Sequence, residues 1–253
     1  DMRFTNTGSA TVLALGNGSF IFNCEIDTST GSGINGTHLG TVGCYIHNIG
    51  AFGIAGGYAY FNTMRNETND FTQAIQLNDN RAAMFNIIDI DGASNGINFN
   101  GDSVVVMNNS IFSNGGTGVG IRNATSTHEQ LTIINNTVEG FSGSGGIGIQ
   151  VTSQNAIAVG YNLLYNNATN VSITGDVIID LGNNSVAGSS SFVNAGSDDF
   201  DPIAGLLASY PSYPTAWKSY ASTQQNLIRM AAQYAAGGGS LLVHPGMRGG
   251  ING

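Results

Sequence analysis

Five ionisable and two aromatic side chains recur at one position of a repeating sequence pattern. Each lies three residues after a marker Cys or Asn, and together they are Asp27, His47, Arg65, Asp89, Phe112, Glu139 and Tyr165. The markers themselves are Cys24, Cys44, Asn62, Asn86, Asn109, Asn136, Asn162 and Asn184, separated by steps of 18 to 27 residues. If each step is one coil of a stacked repeat protein, the seven side chains form a single outward column, which we call the +3 column.

Two carboxylates of the +3 column could carry out acid–base chemistry on a sugar. Neighbouring parallel strands lie about 4.8 Å apart, so Asp89 and Glu139, two coils apart, would be separated by about 9.6 Å. This separation is at the upper edge of that used by inverting glycosidases. Asp91 offers Asp89 a closer partner if both lie on one strand face. The catalytic candidates are therefore Asp89, Glu139 and Asp91.

The same column has a simpler explanation, which we favour. Charged side chains occupy outward positions because burying them unpaired is costly, so the column requires no catalytic role. A mixture of acidic, basic and aromatic groups also suits sugar binding. The carbohydrate-binding candidates are Asp27, His47, Arg65, Phe112 and Tyr165.

Motifs for other chemistries are missing from the sequence. It contains no phosphate-binding loop and no His-Glu-x-x-His. It also lacks an Asp-x-Asp-x-Asp calcium loop. The four histidines are too scattered to form a metal set by spacing, although stacking could bring His47 near Asp27. We therefore predict no metal site and no cofactor.

The two cysteines, Cys24 and Cys44, are the markers of consecutive repeats. Stacking would place their Cα atoms about 4.8 Å apart, which is a distance that permits a disulfide. A pair of small buried thiols is the alternative that we favour, because parallel neighbours in register rarely point their Cβ atoms suitably. The sequence leaves both alternatives open.

The composition excludes two classes of partner. The chain has 253 residues, of which only 9% are charged, against roughly 25% in an ordinary domain. Its net charge is −9 with seven Lys and Arg together, whereas nucleic-acid binding needs clustered cations. Membrane insertion is not expected, because no apolar stretch reaches the roughly 18 residues of a transmembrane helix.

The repeat predicts the fold more directly than it predicts the function. Its steps are shorter than the roughly 30 residues of a β-α-β unit. Apolar residues alternate within a step, as in Ile147, Ile149 and Val151, which is the pattern of a strand with one buried face. Gly-rich turns separate these strands, so we predict an all-β solenoid of stacked coils.

The Asn-x-apolar steps, usually Asn-Asn-x-apolar, resemble those of right-handed parallel β-helix proteins with the pectate-lyase-like fold. The resemblance covers roughly residues 2 to 190. It implies the fold but no single activity, because that fold serves polysaccharide lyases, glycosidases, phage tailspikes, other virion proteins and surface adhesins. The polygalacturonase motifs of the fold are mostly missing, and only Asp198-Asp199 matches, outside the coils. Stacked Asn amides can hydrogen-bond from coil to coil, so we predict a structural Asn ladder.

The composition changes after residue 190, which divides the chain into two regions. We assign residues 1–190 to the parallel β-helix and residues 191–253 to a linker, an amphipathic helix and a capping or assembly segment. Thr215 can cap a helix that runs to about Ala236. A solenoid end exposes unpaired strand edges and needs such a cap. The assembly candidates on one face of this helix are Trp217, Tyr220 and Ile228.

These observations favour a non-enzymatic structural or surface protein, of the kind represented by a phage decoration, fibre or spike component. We expect a homo-oligomer, in the first instance a trimer, that contacts capsid or envelope proteins at a virion or extracellular surface. Two alternatives stay open. One is a polysaccharide lyase or glycoside hydrolase that uses the +3 column, and the other is a secreted carbohydrate-binding adhesin. Both imply a polysaccharide as partner.

Overall fold

The chain folds as an all-β parallel solenoid of about seven turns. The computed structural model describes residues 2–66, 71–123, 130–180, 184–186, 189–190, 192–194 and 199–202. The strands found there are β1 (Met2–Thr5), β2 (Leu13–Leu15), β3 (Phe20–Phe22), β4 (Cys24–Ser29), β5 (Ile34–Gly36), β6 (Gly40–Val42), β7 (Tyr45–Ile49), β8 (Phe52–Ala55), β9 (Tyr58–Tyr60), β10 (Thr63–Arg65), β11 (Gln73–Leu77), β12 (Ala82–Met84), β13 (Ile87–Ile90), β14 (Asn95–Phe99), β15 (Val105–Met107), β16 (Ser110–Ser113), β17 (Val119–Asn123), β18 (Leu131–Ile134), β19 (Thr137–Glu139), β20 (Ile147–Gly160), β21 (Leu163–Tyr165), β22 (Thr169–Asp180), β23 (Ser185–Val186), β24 (Phe192–Asn194) and β25 (Asp199–Pro202).

Successive coils stack strand upon strand into two large sheets. The nine-stranded sheet runs β1-β4-β7-β10-β13-β16-β19-β21-β23, and its strands pair in parallel. The fourteen-stranded sheet consists of two ladders, β2-β5-β8-β11-β14-β17 and β3-β6-β9-β12-β15-β18, which the long strand β20 joins. Its fourteenth strand, β22, pairs with β20. Strands β24 and β25 form a separate antiparallel pair. Each coil therefore contributes one strand to each of three parallel ladders.

The core is a stack of aliphatic side chains in register. Seven coils place the second residue after the marker inside, and these residues are at most 1% exposed: Ile26, Ile46, Met64, Ile88, Ile111, Val138 and Leu164. Ile54, Ile75 and Ile97 pack from the facing ladder into the same cluster. Fully burying one such side chain contributes roughly 1.5–3 kcal/mol, so the repeated apolar position drives the stacking.

A sharp turn before the nine-stranded sheet recurs in each coil. The residue preceding the marker adopts a left-handed conformation with φ between 50° and 67° in seven coils, at Asn23, Gly43, Phe61, Phe85, Asn108, Asn135 and Tyr161. Asn and Gly tolerate this conformation. An aromatic residue there costs roughly 1–2 kcal/mol, so the packing of the stack must impose the turn at Phe61, Phe85 and Tyr161.

The predicted Asn ladder is present and buried. Each marker amide donates to the Oδ1 of the next marker at 2.8–3.0 Å, from Asn62 through Asn86, Asn109, Asn136 and Asn162 to Asn184. The same Oδ1 atoms accept the backbone N–H of the preceding marker. The ladder thus satisfies the backbone groups that the sharp turn leaves without a strand partner.

The two cysteines occupy the marker positions of the two coils that precede the Asn ladder. The backbone N–H of Cys44 donates to Asn62 Oδ1 at 2.9 Å. Both residues are free thiols in the structure, and Cys24 Sγ donates to Phe22 O at 3.1 Å. Burial raises the pKa of Cys44 to about 12, so this thiol stays protonated and packs as a small apolar group.

The predicted C-terminal helix lies outside the described residues, together with its assembly candidates Trp217, Tyr220 and Ile228. The described coils contain no helix. Within that part of the chain, no helix has the length and hydropathy needed to span a bilayer.

Candidate functional site

The +3 column runs without interruption along the nine-stranded sheet. Register pairs connect its members in the order Asp27, His47, Arg65, Asp89, Phe112, Glu139 and Tyr165. Neighbouring members are therefore about 4.8 Å apart at their backbones. The structure thus brings together the candidates that are 18 to 27 residues apart in sequence.

The column is less accessible than its outward position predicts. Asp27, His47 and Glu139 are only 4%, 7% and 1% exposed, and the other members are half-buried. The expectation of an open charged surface is therefore wrong for these three residues. Burying a charged group is costly unless it is paired, so the partners of each carboxylate decide what the column can do.

Four charged or titratable side chains gather where the column begins. We call Arg3, Glu25, Asp27 and His47 the N-terminal cluster. Arg3 Nη2 contacts Asp27 Oδ2, and its Nε lies 3.4 Å from Glu25 Oε1. His47 bridges the same carboxylates, with Nε2 3.1 Å from Glu25 Oε1 and Nδ1 3.4 Å from Asp27 Oδ1. The hydrogen bond to Asp27, together with the charge of Glu25, raises the pKa of Arg3.

Two neighbours orient this cluster. The Tyr45 ring stacks on the imidazole of His47 at 4.4 Å between centroids. Asn48 donates from Nδ2 to Asp27 Oδ1 at 2.9 Å. Both neighbours restrict the rotation of buried groups, so the cluster is a fixed arrangement of two carboxylates and an imidazole.

The predicted catalytic pair does not have the surroundings of a free acid and base. Asp89 is partnered by Arg65, whose Nε lies 3.8 Å from Asp89 Oδ2. Glu139 accepts a hydrogen bond of 2.6 Å from Ser190 Oγ. Phe112 occupies the coil between the two carboxylates. Both groups are therefore partnered, and Glu139 is covered from solvent.

The third catalytic candidate, Asp91, lies just after strand β13 and not within it. Strand β13 ends at Ile90, and Asp91 follows it in an exposed position. Its Oδ1 accepts the backbone N–H of Asn114 at 3.2 Å. Asp91 therefore lies beyond the strand that carries Asp89, and its carboxylate holds the turn of the next coil.

A second surface was not predicted from the sequence. Phe20 and Phe22 stack on each other at 5.6 Å between centroids, and Tyr58 and Tyr60 do the same two coils further on. We call these four residues the aromatic face. Phe20 and Phe22 are 49% and 57% exposed. The signal in the sequence was the pair of aromatic-x-aromatic triplets at equivalent strand positions.

The intervening coil leaves room for these rings. Gly40 lies between Phe20 and Tyr58 in the ladder. A Cβ at this position would come within 2.9 Å of the Phe20 ring. Arg81 lies over the Tyr58 ring, 5.1 Å from its centroid, so the aromatic face carries a cation at one edge.

Comparison with known proteins gives no family assignment. No protein-family model, no curated protein and no solved structure matches the chain.

Proposed function

We propose that this chain is a non-enzymatic structural or surface protein, built on a β-solenoid and acting as a virion decoration, fibre or spike component. The observation that carries the proposal is the pairing within the +3 column. Arg3 pairs with both Glu25 and Asp27, and Asp89 faces Arg65. Carboxylates held in this way stabilise neighbouring coils and are poorly placed to exchange protons with a substrate.

The regularity of the stack supports a scaffolding role. About seven turns with a rise of about 4.8 Å each give a rod of roughly 34 Å. The Asn ladder runs from Asn62 to Asn184, and the aliphatic core extends from Ile21 to Leu164. The resemblance of the Asn-x-apolar steps to pectate-lyase-like β-helices, which include virion proteins, points in the same direction. A stiff rod of this kind suits the spacing or attachment of partners.

A secreted carbohydrate-binding adhesin is the second candidate, because the aromatic face presents exposed ring surfaces in register. Aromatic rings are large contact groups that lose little conformational entropy on binding. The polysaccharide lyase or glycosidase alternative has less support, since Asp89 and Glu139 are both partnered.

We expect the full chain to assemble as a homotrimer that contacts capsid or envelope proteins. Size-exclusion chromatography with light scattering should give three times the chain mass of 26.1 kDa. A triple substitution of Trp217, Tyr220 and Ile228 by Ala should release monomers if residues 191–253 mediate assembly. Replacing exposed Ser144 by Ala is the control and should leave the mass unchanged. A monomeric wild-type chain at micromolar concentration would contradict the assembly proposal.

A further inference from the structure

The N-terminal cluster has the donor set of a metal site. One ligand atom each from Glu25, Asp27 and His47 lies within 4.8 Å of the other two. The three residues come from adjacent strands, β4 and β7, so the stacking of two coils creates the arrangement. It combines one imidazole with two carboxylates, and two of the three side chains are more than nine-tenths buried.

The electrostatics of the cluster favour a cation. Two carboxylates face one guanidinium, that of Arg3, which already lies against both. The Arg3 side chain is 57% exposed and sits on the first strand of the stack, so it can swing into solvent at little cost in buried surface. A small divalent ion would bring twice the charge of Arg3 to the same oxygen atoms.

The residues around the cluster make contacts of the kind that hold metal ligands in position. Asn48 donates to Asp27 Oδ1 and fixes that carboxylate. Tyr45 stacks on the imidazole and fixes its plane. Supporting contacts of this kind orient ligands before the ion binds. Because Nε2 of His47 faces Glu25 and Nδ1 faces Asp27, binding through one nitrogen requires a shift of the imidazole in addition to the release of Arg3.

The donor types select the class of ion. An imidazole nitrogen with two carboxylate oxygens suits Zn²⁺ and similar transition ions, which accept three protein ligands and a water. Ca²⁺ requires 6–8 oxygen ligands, more than this cluster offers. We propose that Glu25, Asp27 and His47 bind one divalent transition-metal ion of the Zn²⁺ class, which displaces Arg3 and ties the first two complete coils together. This site is independent of the structural role proposed above.

Isothermal titration of the EDTA-treated full chain with ZnCl₂ at pH 7.5 tests the proposal. We expect one ion per chain, and no binding heat from CaCl₂ under the same conditions. Arg3→Ala should raise the affinity for Zn²⁺ about tenfold, because it removes the competing cation. His47→Ala should lower it by about 100-fold, at least as much as the loss of a supporting contact costs. Asp79→Asn, at an exposed carboxylate elsewhere, is the control and should change nothing.

Three results would overturn the proposal. They are the absence of Zn²⁺ binding by the wild-type chain, binding that His47→Ala leaves intact, and an affinity that Arg3→Ala lowers. If His47→Ala disturbs the first coils by circular dichroism, Glu25→Gln replaces it, since its shape is nearly unchanged and its side chain is 36% exposed. An affinity for Zn²⁺ that Glu25→Gln does not lower would likewise overturn the site.

Discussion

Replacing Asn109 by Ala is expected to lower the free energy of unfolding by about 3–5 kcal/mol, within the range for a broken buried hydrogen-bond network. The Asn109 amide donates to Ala83 O and to Asn136 Oδ1, and its Oδ1 accepts from the backbone N–H of Asn86. The substitution leaves these buried groups without their partner. Chemical denaturation followed by circular dichroism measures the effect.

The control for the ladder is Asn78→Ala. Asn78 is exposed and directly follows β11, outside the ladder, so its replacement should change stability by less than about 0.5 kcal/mol. If Asn109→Ala had an effect as small as that of the control, the ladder would contribute little to stability. The repeated Asn would then need another explanation.

Replacing Gly140 by Ala is expected to destabilise the fold by about 3 kcal/mol or more, because two costs combine. Gly140 follows Glu139 at the end of β19 and has φ +87°, a conformation that favours glycine. A Cβ there would lie 1.7 Å from the carbonyl oxygen of Ser113 in the preceding coil. Neither group can move without disturbing the stacked turn.

Gly145→Ala separates the two costs. Gly145 has nearly the same conformation, with φ +88°, but a Cβ there would meet nothing within 4 Å. Its replacement should therefore cost only the roughly 1–2 kcal/mol of the left-handed conformation. Thermal unfolding of the two variants should differ by several degrees in Tm. Equal shifts would show that the backbone conformation, and not the contact with Ser113, limits position 140.

The fold could be predicted from the sequence because one signal recurs in every coil. The apolar residue two positions after each marker, such as Ile88 or Ile111, identifies the inward face, and the marker Asn identifies the turn. These features agree with one another in consecutive coils, so an ambiguous coil is resolved by its neighbours. The spacing from each marker also predicts that the residues of the +3 column lie in register, and the strand pairing confirms it.

The environment of the column could not be predicted in the same way. Glu139 is buried and accepts a hydrogen bond from Ser190, which is 51 residues away and outside the repeat. Arg3 precedes the first marker, so the pattern gave no reason to place it against Asp27. Pairings of this kind depend on where irregular segments fold back onto the coils, which a periodic pattern does not encode.

The turn residues show a local preference that the stack overrides. Phe61 and Phe85 adopt the left-handed conformation although aromatic residues disfavour it, and their rings stack at 5.0 Å between centroids. Sequence propensity alone would not place an aromatic residue there. The position is imposed by the coils above and below, in which Gly43 and Asn108 adopt the same conformation readily.

We propose that the +3 column holds coils together and does not catalyse. The most direct test incubates the wild-type chain and an Asp89→Asn, Glu139→Gln double variant with a panel of anionic and neutral polysaccharides. Reducing ends and unsaturated products are then measured. We expect no turnover by either protein while both remain folded. Cleavage of any polysaccharide by the wild-type chain that the folded double variant has lost would contradict it.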